Sequence, residues 1–212
     1  MIRVAIITTD TAHHRYFVHG MNRVAGIVGA AVETKKGPRQ LTQEAADLSL
    51  FGDPPPIGGP QFESIVDAAG FLSGLKPDVL ICYGASAPPS IFTIPPLGAV
   101  NCHGGKLPIY RGLDTNLWAA MIGRPEDAGV TLHKMSASVD DGPVYGFRPL
   151  ALPIPLSRML FETTKLCLAM VTDLINRMNL GAVPMQVHLQ RGLVFGAVPS
   201  YAYEVADMAV SR

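Results

Sequence analysis

The sequence predicts an α/β fold in which helices flank a mostly parallel sheet that ends in an antiparallel element. The first observation is a series of short, almost wholly apolar runs, such as Ile2–Thr8, which are typical of parallel strands covered on both faces. The second is that these runs alternate with helix-like segments as far as about residue 123, after which two strand-like segments follow each other directly. With 212 residues, 48% of them hydrophobic, the chain can fill one domain, predicted as an α/β core at 1–150 and a C-terminal helix with a short tail at 151–212.

The first half of the chain contains three strand-like segments, separated by helices and by an irregular excursion. Asp10 or Thr11 can cap the first helix, and the proline- and glycine-rich composition of residues 35–60 predicts an irregular segment. In chain order, the predicted elements are a strand at Ile2–Thr8, a helix from Ala12, a strand at Ile27–Val32, a helix at Phe62–Leu75 and a strand in PDVLICYG.

The second half begins with a loop and contains the most regular helix of the chain. The elements predicted there are a helical turn at Ser90–Phe92, a short strand in GAVNCH, a helix at Leu113–Ile122, strands in GVTLHKM and PVYGFRPL, and a helix at 156–178. Pro155 and Gly181 flank the last helix, in the positions that proline and glycine favour. Its methionine-rich stripe is interpreted as a packed core or a dimer face, with a binding groove as the less favoured alternative.

Composition and charge exclude several classes of function. Lysine plus arginine equals aspartate plus glutamate, at 17 each, so the chain has no bulk electrostatic attraction to nucleic acid or to an anionic membrane. No apolar run reaches the roughly 18 residues of a membrane span, and the apolar run Val4–Ile7 is too short for a signal peptide. Three widely spaced cysteines without a C-x-x-C motif indicate a reduced, cytoplasmic protein. The low charged fraction, 16%, is compatible with a homodimer.

The stretch NCHGGKLPIYRG, at 101–112, carries the strongest candidate for chemistry. It follows a predicted strand, and ligands of open α/β sheets bind beyond the carboxyl ends of the strands. Asn101 and His103 are two residues apart and therefore share one face of a strand. An amide beside an imidazole can stabilise an oxyanion and move a proton, although a polar strand end with a loop-bonded histidine gives the same pattern.

A second candidate segment, Asp140-Asp141-Gly142, joins the last two predicted strands. The sequence suits an ordinary turn, but a carboxylate from it that reached His103 would hold the tautomer of that imidazole and favour its charged form. No metal site is predicted, because adjacent pairs such as Cys102 and His103 point apart and no paired ligand spacing occurs. A dinucleotide site is also not expected, since the segment after the first strand lacks G-x-G-x-x-G.

Taken together, these motifs resemble the folate-dependent formyltransferase family, which includes glycinamide ribonucleotide, methionyl-tRNA and amino-sugar N-formyltransferases. The motifs that carry the resemblance are Asn101-Cys-His103, LPIYRG at 107–112, GVTLH at 129–133 and Asp140-Asp-Gly142. The resemblance implies a Rossmann-like enzyme that uses 10-formyltetrahydrofolate as co-substrate and needs no metal. It also implies that Asn101 and His103 stabilise an oxyanion and that Asp140 orients His103. Asp140 is preferred to Asp141 because the family pattern is Asp-x-Gly.

The resemblance further implies where the folate pocket lies, with backbone groups binding the pterin. The residues implied to line it are Tyr83, Gly84, Ala85, Ser86, Ala87, Ser136, Ala137 and Ser138. The chain departs from the family in having Gly-Gly-Lys-Leu-Pro where Ser-Leu-Leu-Pro is common, and in lacking a glycine-rich phosphate loop after the first strand. It also lacks the extra C-terminal domain of the methionyl-tRNA enzymes. This loop therefore looks more like that of the sugar-modifying or uncharacterised members.

The expected acceptor is accordingly a small amine, with a nucleotide-linked amino sugar as the leading choice. A helix start beside an arginine can hold a phosphate. A lysine in the segment 104–108, where the chain departs from the family (the divergent loop), can meet an anionic substrate. The residues predicted on these grounds to bind the acceptor are His13, His14, Arg15, Gly105 and Lys106. Three alternatives stay open: a glycinamide ribonucleotide formyltransferase, a formyltetrahydrofolate hydrolase, and a non-catalytic folate- or nucleotide-binding module.

Overall fold

A computed structural model describes residues 1–24, 26–34, 50–85, 87–182 and 192–197. Its central feature is a seven-stranded sheet with the strand order β3-β2-β1-β4-β5-β7-β8, beside a two-stranded sheet of β6 and β9. The strands are β1 Val4–Thr9, β2 Ile27–Glu33, β3 Gln61–Phe62, β4 Val79–Tyr83, β5 Ala99–Gly104, β6 Tyr110–Gly112, β7 Gly129–Lys134, β8 Val144–Pro149 and β9 Leu193–Phe195.

Helices connect the strands and cover both faces of the large sheet. The α-helices are α1 Ala12–Met21, α2 Ala69–Leu75, α3 Pro89–Phe92, α4 Thr115–Met121 and α5 Leu156–Asn179, and two 3₁₀ turns lie at Ile65–Ala68 and Pro125–Asp127. None of the helices in the described ranges has the combination of length and apolarity that crossing a membrane requires.

The strand directions confirm the predicted fold class. Strands β3, β2, β1, β4 and β5 are parallel neighbours, whereas β7 runs antiparallel to both β5 and β8. The change of direction comes at β7, which follows β5 by way of β6, α4 and the second 3₁₀ turn, and β7 is then joined to β8 directly by a loop, as an antiparallel pair allows.

Alternate residues of the central strands pack into two hydrophobic clusters on opposite faces of the sheet. One face packs against α1 and α5, and contains Val100 and Cys102 of β5. The other packs against the first 3₁₀ turn, α2 and α3, and contains Ala99. Since side chains alternate along a strand, Asn101 and His103 belong to the face that carries Ala99.

The long helix α5 packs its methionine-rich stripe into the protein. Cys167, Met170 and Leu174 are buried in the cluster shared with α1, and Met178 packs against it, while Met159 lies in a smaller cluster with α4. Apolar burial of this kind is the main source of stability for a helix in a globular protein. The interpretation as packed core is therefore confirmed, and the alternative of a groove on this stripe is wrong.

Three local expectations differ from the structure or lie outside it. The predicted helix at Phe62–Leu75 starts too early, because Phe62 pairs with β2 and the helix proper begins only at Ala69, after a 3₁₀ turn. A two-residue strand is too short to produce a periodic signal. The strands β6 and β9 were not expected either, because three residues are also too few to produce a periodic signal. Residues 35–49 of the predicted excursion lie outside the described residues.

Candidate active site

Asn101 and His103 lie side by side on β5, where the sheet changes from parallel to antiparallel. On the parallel side Asn101 is aligned with Cys82 of β4, and on the antiparallel side it is aligned with His133 of β7. His103 is buried, at 5% exposure, near the end of the strand. The sequence prediction that these two side chains share a face is confirmed by the alternation of β5.

Asp140 is the carboxylate that joins this pair. One of its oxygens, Oδ2, lies 3.4 Å from Nδ1 of His103, and the other, Oδ1, lies 3.2 Å from Nδ2 of Asn101. The backbone N–H of Gly112 donates to Oδ2 at 2.8 Å. Asp140 adopts a left-handed backbone conformation with φ of 43°, which is unusual for a residue other than glycine and carries strain. The turn is therefore shaped so that this carboxylate faces β5.

Asp141 points elsewhere. Its Oδ1 lies 4.0 Å from a guanidinium nitrogen of Arg111, whose Nε and terminal amino group also donate to the carbonyl oxygen of Val139. Arg111, which entered the sequence analysis only as part of the motif LPIYRG, thus holds the turn that carries Asp140. Of the two adjacent aspartates, Asp140 is the one whose carboxylate contacts His103.

The hydrogen bonds of His103 indicate which ring nitrogen carries the proton. Nε2 lies 2.7 Å from the carbonyl oxygen of Tyr110, which can only accept, so Nε2–H donates and Nδ1 is left facing Asp140. Burial lowers the pKa of His103 below its ordinary value, while Asp140 and the Tyr110 carbonyl oppose that shift. The neutral ring therefore presents its basic nitrogen to the carboxylate.

The pKa of Asp140 shifts in the direction that keeps this carboxylate charged. Burial by itself raises the pKa, but the contacts with His133, with His103 and with the N–H of Gly112 outweigh burial and lower it to about 2. Asp140 is thus ionised at neutral pH. An ionised carboxylate beside His103 stabilises the imidazolium whenever that ring takes up a proton.

His133 completes the cluster, although no role was predicted for it from the sequence. Its Nε2 lies 3.1 Å from Nδ2 of Asn101 and 3.3 Å from Oδ1 of Asp140, and its Nδ1 lies 3.1 Å from the carbonyl oxygen of Lys134. GVTLH was part of the family signature, but only the antiparallel register of β5 and β7 shows that its histidine faces Asn101. Nδ2 of Asn101 therefore lies within hydrogen-bond distance of both Asp140 and His133.

The two segments implied to line a folate pocket start from the same face of the sheet. Ala87 is buried in the cluster that also receives Met135, the residue before Ser136. The Tyr83 side chain lies on the opposite face, where its hydroxyl is 2.8 Å from Oγ1 of Thr164, so only the backbone of Tyr83 can line such a pocket. Within the second segment, Ser136 Oγ donates to the carbonyl oxygen of Ser138. Ser86 lies outside the described residues.

The residues predicted to bind the acceptor phosphate open α1, and all three already have polar partners, with Nδ1 of His13 3.1 Å from the hydroxyl oxygen of Thr11. His14 is buried, with Nδ1 2.7 Å from the hydroxyl oxygens of both Thr9 and Thr11. Burial, with a smaller contribution from His13, lowers the pKa of His14 well below its ordinary value. Arg15 makes an ion pair with Asp10, at 2.8 Å. His13 is half-buried beside His14.

In the divergent loop, the half-exposed Lys106 pairs with a buried carboxylate. Its Nζ lies 2.9 Å from Oδ1 of Asp127, a carboxylate with no exposed surface. Arg124 contacts the same carboxylate at 2.9 Å, and the Tyr110 hydroxyl lies 3.4 Å from it. Lys106, Arg124 and the Tyr110 hydroxyl thus compensate the buried charge of Asp127. The same contacts attach the segment that carries the Tyr110 carbonyl to the second 3₁₀ turn.

Among the residues that the structure describes, no group of three or more histidine, cysteine, aspartate or glutamate side chains could hold a metal ion. Hydrogen bonds and charge hold Asn101, His103 and Asp140 together. It can stabilise a developing oxyanion and can accept and return a proton.

Sequence comparison gives a family and a relative that agree with this chemistry. The sequence model described as formyl transferase matches residues 4–148. Methionyl-tRNA formyltransferase from Roseiflexus sp. (strain RS-1) is 36% identical over 169 residues, which cover 74% of this chain and 49% of that enzyme. Matches to the curated relatives span between 24% and 49% of their length.

Two solved structures share the fold over most of this chain. Glycinamide ribonucleotide transformylase 1 from Symbiobacterium toebii superposes with a TM-score of 0.64 at 16% identity, over 90% of this chain and 95% of that one. The formyltransferase PseJ from Anoxybacillus kamchatkensis superposes with a TM-score of 0.56 at 17% identity, over 92% and 85%. PseJ was solved in complex with tetrahydrofolate and UDP-4,6-dideoxy-4-formamido-L-AltNAc.

Proposed function

The chain belongs to the formyl transferase family, and we propose that it is an N-formyltransferase that moves a formyl group from 10-formyltetrahydrofolate to the amine of a small acceptor. The observation that carries this proposal is the cluster in which Asp140 joins Asn101 and His103 through both of its carboxylate oxygens. A binding module has no need of an ionised carboxylate aimed at a buried, neutral imidazole.

The donor would be held on the face of the sheet that carries Asn101. Ala87 and Met135, which belong to or adjoin the two segments predicted to line the pocket, pack in the cluster on that face, and Gly84 has φ of 81°, which lets the chain turn sharply there. Backbone groups at such strand ends suit the flat, polar edge of a pterin. The bound donor supplies the formyl group, and tetrahydrofolate leaves after transfer.

In the proposed reaction the acceptor nitrogen forms a bond to the formyl carbon, and the bond from that carbon to the folate nitrogen breaks. One N–H of Asn101, released from its contact with His133 or Asp140, and the charge of protonated His103 stabilise the oxygen that becomes negative in between. Nδ1 of His103, facing Asp140, takes the proton that the amine loses. It passes that proton, directly or through water, to the leaving folate nitrogen, so one proton is transferred in each turnover.

We assign the acceptor to the class of nucleotide-linked amino sugars. The fold similarity to PseJ supports this class, because that enzyme was solved with a formamido sugar nucleotide. The neutral net charge agrees with a small acceptor, since a chain without excess positive charge has no bulk attraction to a large polyanion. The acceptor contacts of His13, His14 and Arg15 stay predictions.

A second acceptor, methionyl-tRNA, is favoured by one observation. The relative from Roseiflexus, 36% identical over most of this chain, carries the name of a methionyl-tRNA formyltransferase. The two acceptors share the same amine chemistry and differ in how they are held. Methionyl-tRNA therefore belongs in the assay beside the sugar nucleotides.

The proposal is tested by incubating the purified protein with 10-formyltetrahydrofolate and a panel of amines while free tetrahydrofolate is measured. We expect turnover with an amino-sugar nucleotide and little with glycinamide ribonucleotide, methionyl-tRNA or water. Turnover with one of the other amines would reassign the acceptor, and turnover without any amine would identify a hydrolase. Binding of folate without turnover on any acceptor would contradict the enzyme assignment.

Variants of the cluster residues test whether these side chains carry the activity. We expect His103→Ala and Asp140→Asn to lower kcat by on the order of 10²-fold or more, because each removes a group that handles the proton. Asp141→Asn is the matched control, with the same chemical change one residue away, and should stay within a few-fold of the wild type. A larger loss in Asp141→Asn than in Asp140→Asn would place the catalytic carboxylate at 141.

A further inference from the structure

Nε2 of His103 faces two oxygen atoms, one from Tyr110 in β6 and one from Thr115 in α4. The Tyr110 carbonyl oxygen lies at 2.7 Å, and Oγ1 of Thr115 lies at 3.3 Å. Thr115 is the first residue of α4 and is 2% exposed. The Nε2–H of His103 is therefore shared between a strong acceptor and a weaker one.

Thr115 is held in place by the next residue. Oδ1 of Asn116 accepts a hydrogen bond from the backbone N–H of Gly129, at 2.8 Å, and its Nδ2 donates to Oγ1 of Thr163, at 3.2 Å. These bonds attach the start of α4 both to β7 and to α5. The Thr115 hydroxyl is consequently fixed with respect to His103.

The second glycine of the divergent loop leaves the space that Thr115 fills. A Cβ atom added to Gly105 would lie 2.6 Å from Oγ1 of Thr115 and 2.9 Å from its Cβ. Gly105 cannot move away, because its N–H donates to the carbonyl oxygen of Gly129 at 2.8 Å and its carbonyl accepts from Oγ1 of Thr131 at 2.6 Å. Its φ of 130° also disfavours a side chain.

We propose that Thr115 is a positioning residue for His103, and that Gly105 is glycine in order to admit it. The Thr115 hydroxyl accepts part of the Nε2–H hydrogen bond and so keeps the proton on Nε2, which leaves Nδ1 to exchange a proton beside Asp140. This role rests on the proposed formyl transfer. It replaces the sequence-based expectation that Gly105 contacts the acceptor, and assigns the glycine at 105, one part of the departure from the family, to support of the catalytic histidine.

The test compares Thr115→Val, which has the same shape without the hydroxyl, with Thr115→Ser, which keeps the hydroxyl. The primary measurement is a ¹⁵N NMR titration of the histidine rings, in which His103→Gln identifies the signal of His103. In the wild type and in Thr115→Ser we expect the neutral ring to be protonated at Nε2. In Thr115→Val we expect a population protonated at Nδ1 and a fall in the pKa of His103 by about half a unit or more.

Kinetics supply the second measurement. Thr115→Val should lower kcat by about 5- to 10-fold with KM for the formyl donor nearly unchanged, and Thr115→Ser should restore most of the rate. If Thr115→Val does not fold, Thr115→Ala makes the same deletion with a smaller side chain.

The proposal is overturned if His103 titrates alike in the wild type and in Thr115→Val, or if Ser and Val disturb it equally. The NMR result does not depend on knowing the acceptor. Absence of turnover in every protein, the wild type included, would count against the proposed function alone, while the titration would still decide the role of Thr115.

Discussion

At the scale of single residues, the cluster around Asp140 is organised by opposed protonation states. Asp140 is held ionised by its contacts, whereas His103 is held neutral by burial, with its pKa below the ordinary value. Asp140 opposes the effect of burial on His103, because an ionised carboxylate stabilises the ring when a proton arrives. Because Asp140 depends on native contacts for its low pKa, the same contacts make the stability of the protein depend on pH.

We expect the contribution of Asp140 to stability to be lost in acid. The ordinary pKa is 3.8 and the folded-state pKa is about 2, so the contribution is fully present above about pH 4 and declines as the pH falls to about 2. Urea unfolding of the wild type and Asp140→Asn measures it. The stability difference, on the order of 2 kcal/mol near neutral pH, should shrink across that window. A difference that does not change with pH would show that the variant acts through packing alone.

At the scale of elements, the loop after β4 is shaped by its contact with the start of α1. A Cβ atom added to Gly84 would lie 1.9 Å from Nε2 of His14, which two threonine hydroxyls hold through its other nitrogen. The predicted acceptor residue His14 and the predicted folate-lining residue Gly84 therefore meet as a packing contact. The position of one segment constrains the other, although 70 residues separate them in the chain.

Gly84→Ala should accordingly destabilise the protein by about 1–3 kcal/mol, since the methyl group collides with His14 and φ at this position is positive. Gly74→Ala is the control, because it lies in α2 with open space around it and gains helix propensity. Urea unfolding should show the control to be as stable as the wild type or slightly more stable. Equal stability of Gly84→Ala and the wild type would contradict the contact.

At the scale of the whole molecule, the sheet keeps all three cysteines away from solvent. Cys82 and Cys102 lie on neighbouring central strands, and Cys167 lies on the buried side of α5. Burial raises the pKa of the Cys82 and Cys102 thiols, and the neighbouring Cys167 adds to the shift at Cys102. A thiol that is both buried and protonated is a poor nucleophile. Thiol reactivity therefore reports whether the sheet as a whole is intact.

We expect a chromogenic disulfide reagent to leave the three thiols of the native protein largely unreacted and to titrate all of them in concentrated guanidinium chloride. The rate of the slow native reaction should follow global unfolding, rising steeply as denaturant approaches the unfolding midpoint. Rapid reaction of one thiol in the absence of denaturant would show that a central strand or α5 opens locally.

The sequence by itself determined the fold class, the order of most elements and the identity of the candidate catalytic residues. These follow from local properties: apolar runs, the two-residue alternation that puts Asn101 and His103 on one face, and ordered motifs at characteristic spacing. It also ranked Asp140 above Asp141, although only by resemblance. Such features are readable because each depends on neighbours within a few residues.

Only the tertiary structure decided which groups meet. The antiparallel register brings His133 opposite Asn101, and the turn at 140 points one carboxylate towards His103 and the other towards Arg111. Packing also showed that Lys106 pairs with a buried carboxylate and that Gly105 lies beneath Thr115. These contacts join residues far apart in the chain, and a register or a ring nitrogen's partner is set by three-dimensional packing that no local pattern encodes.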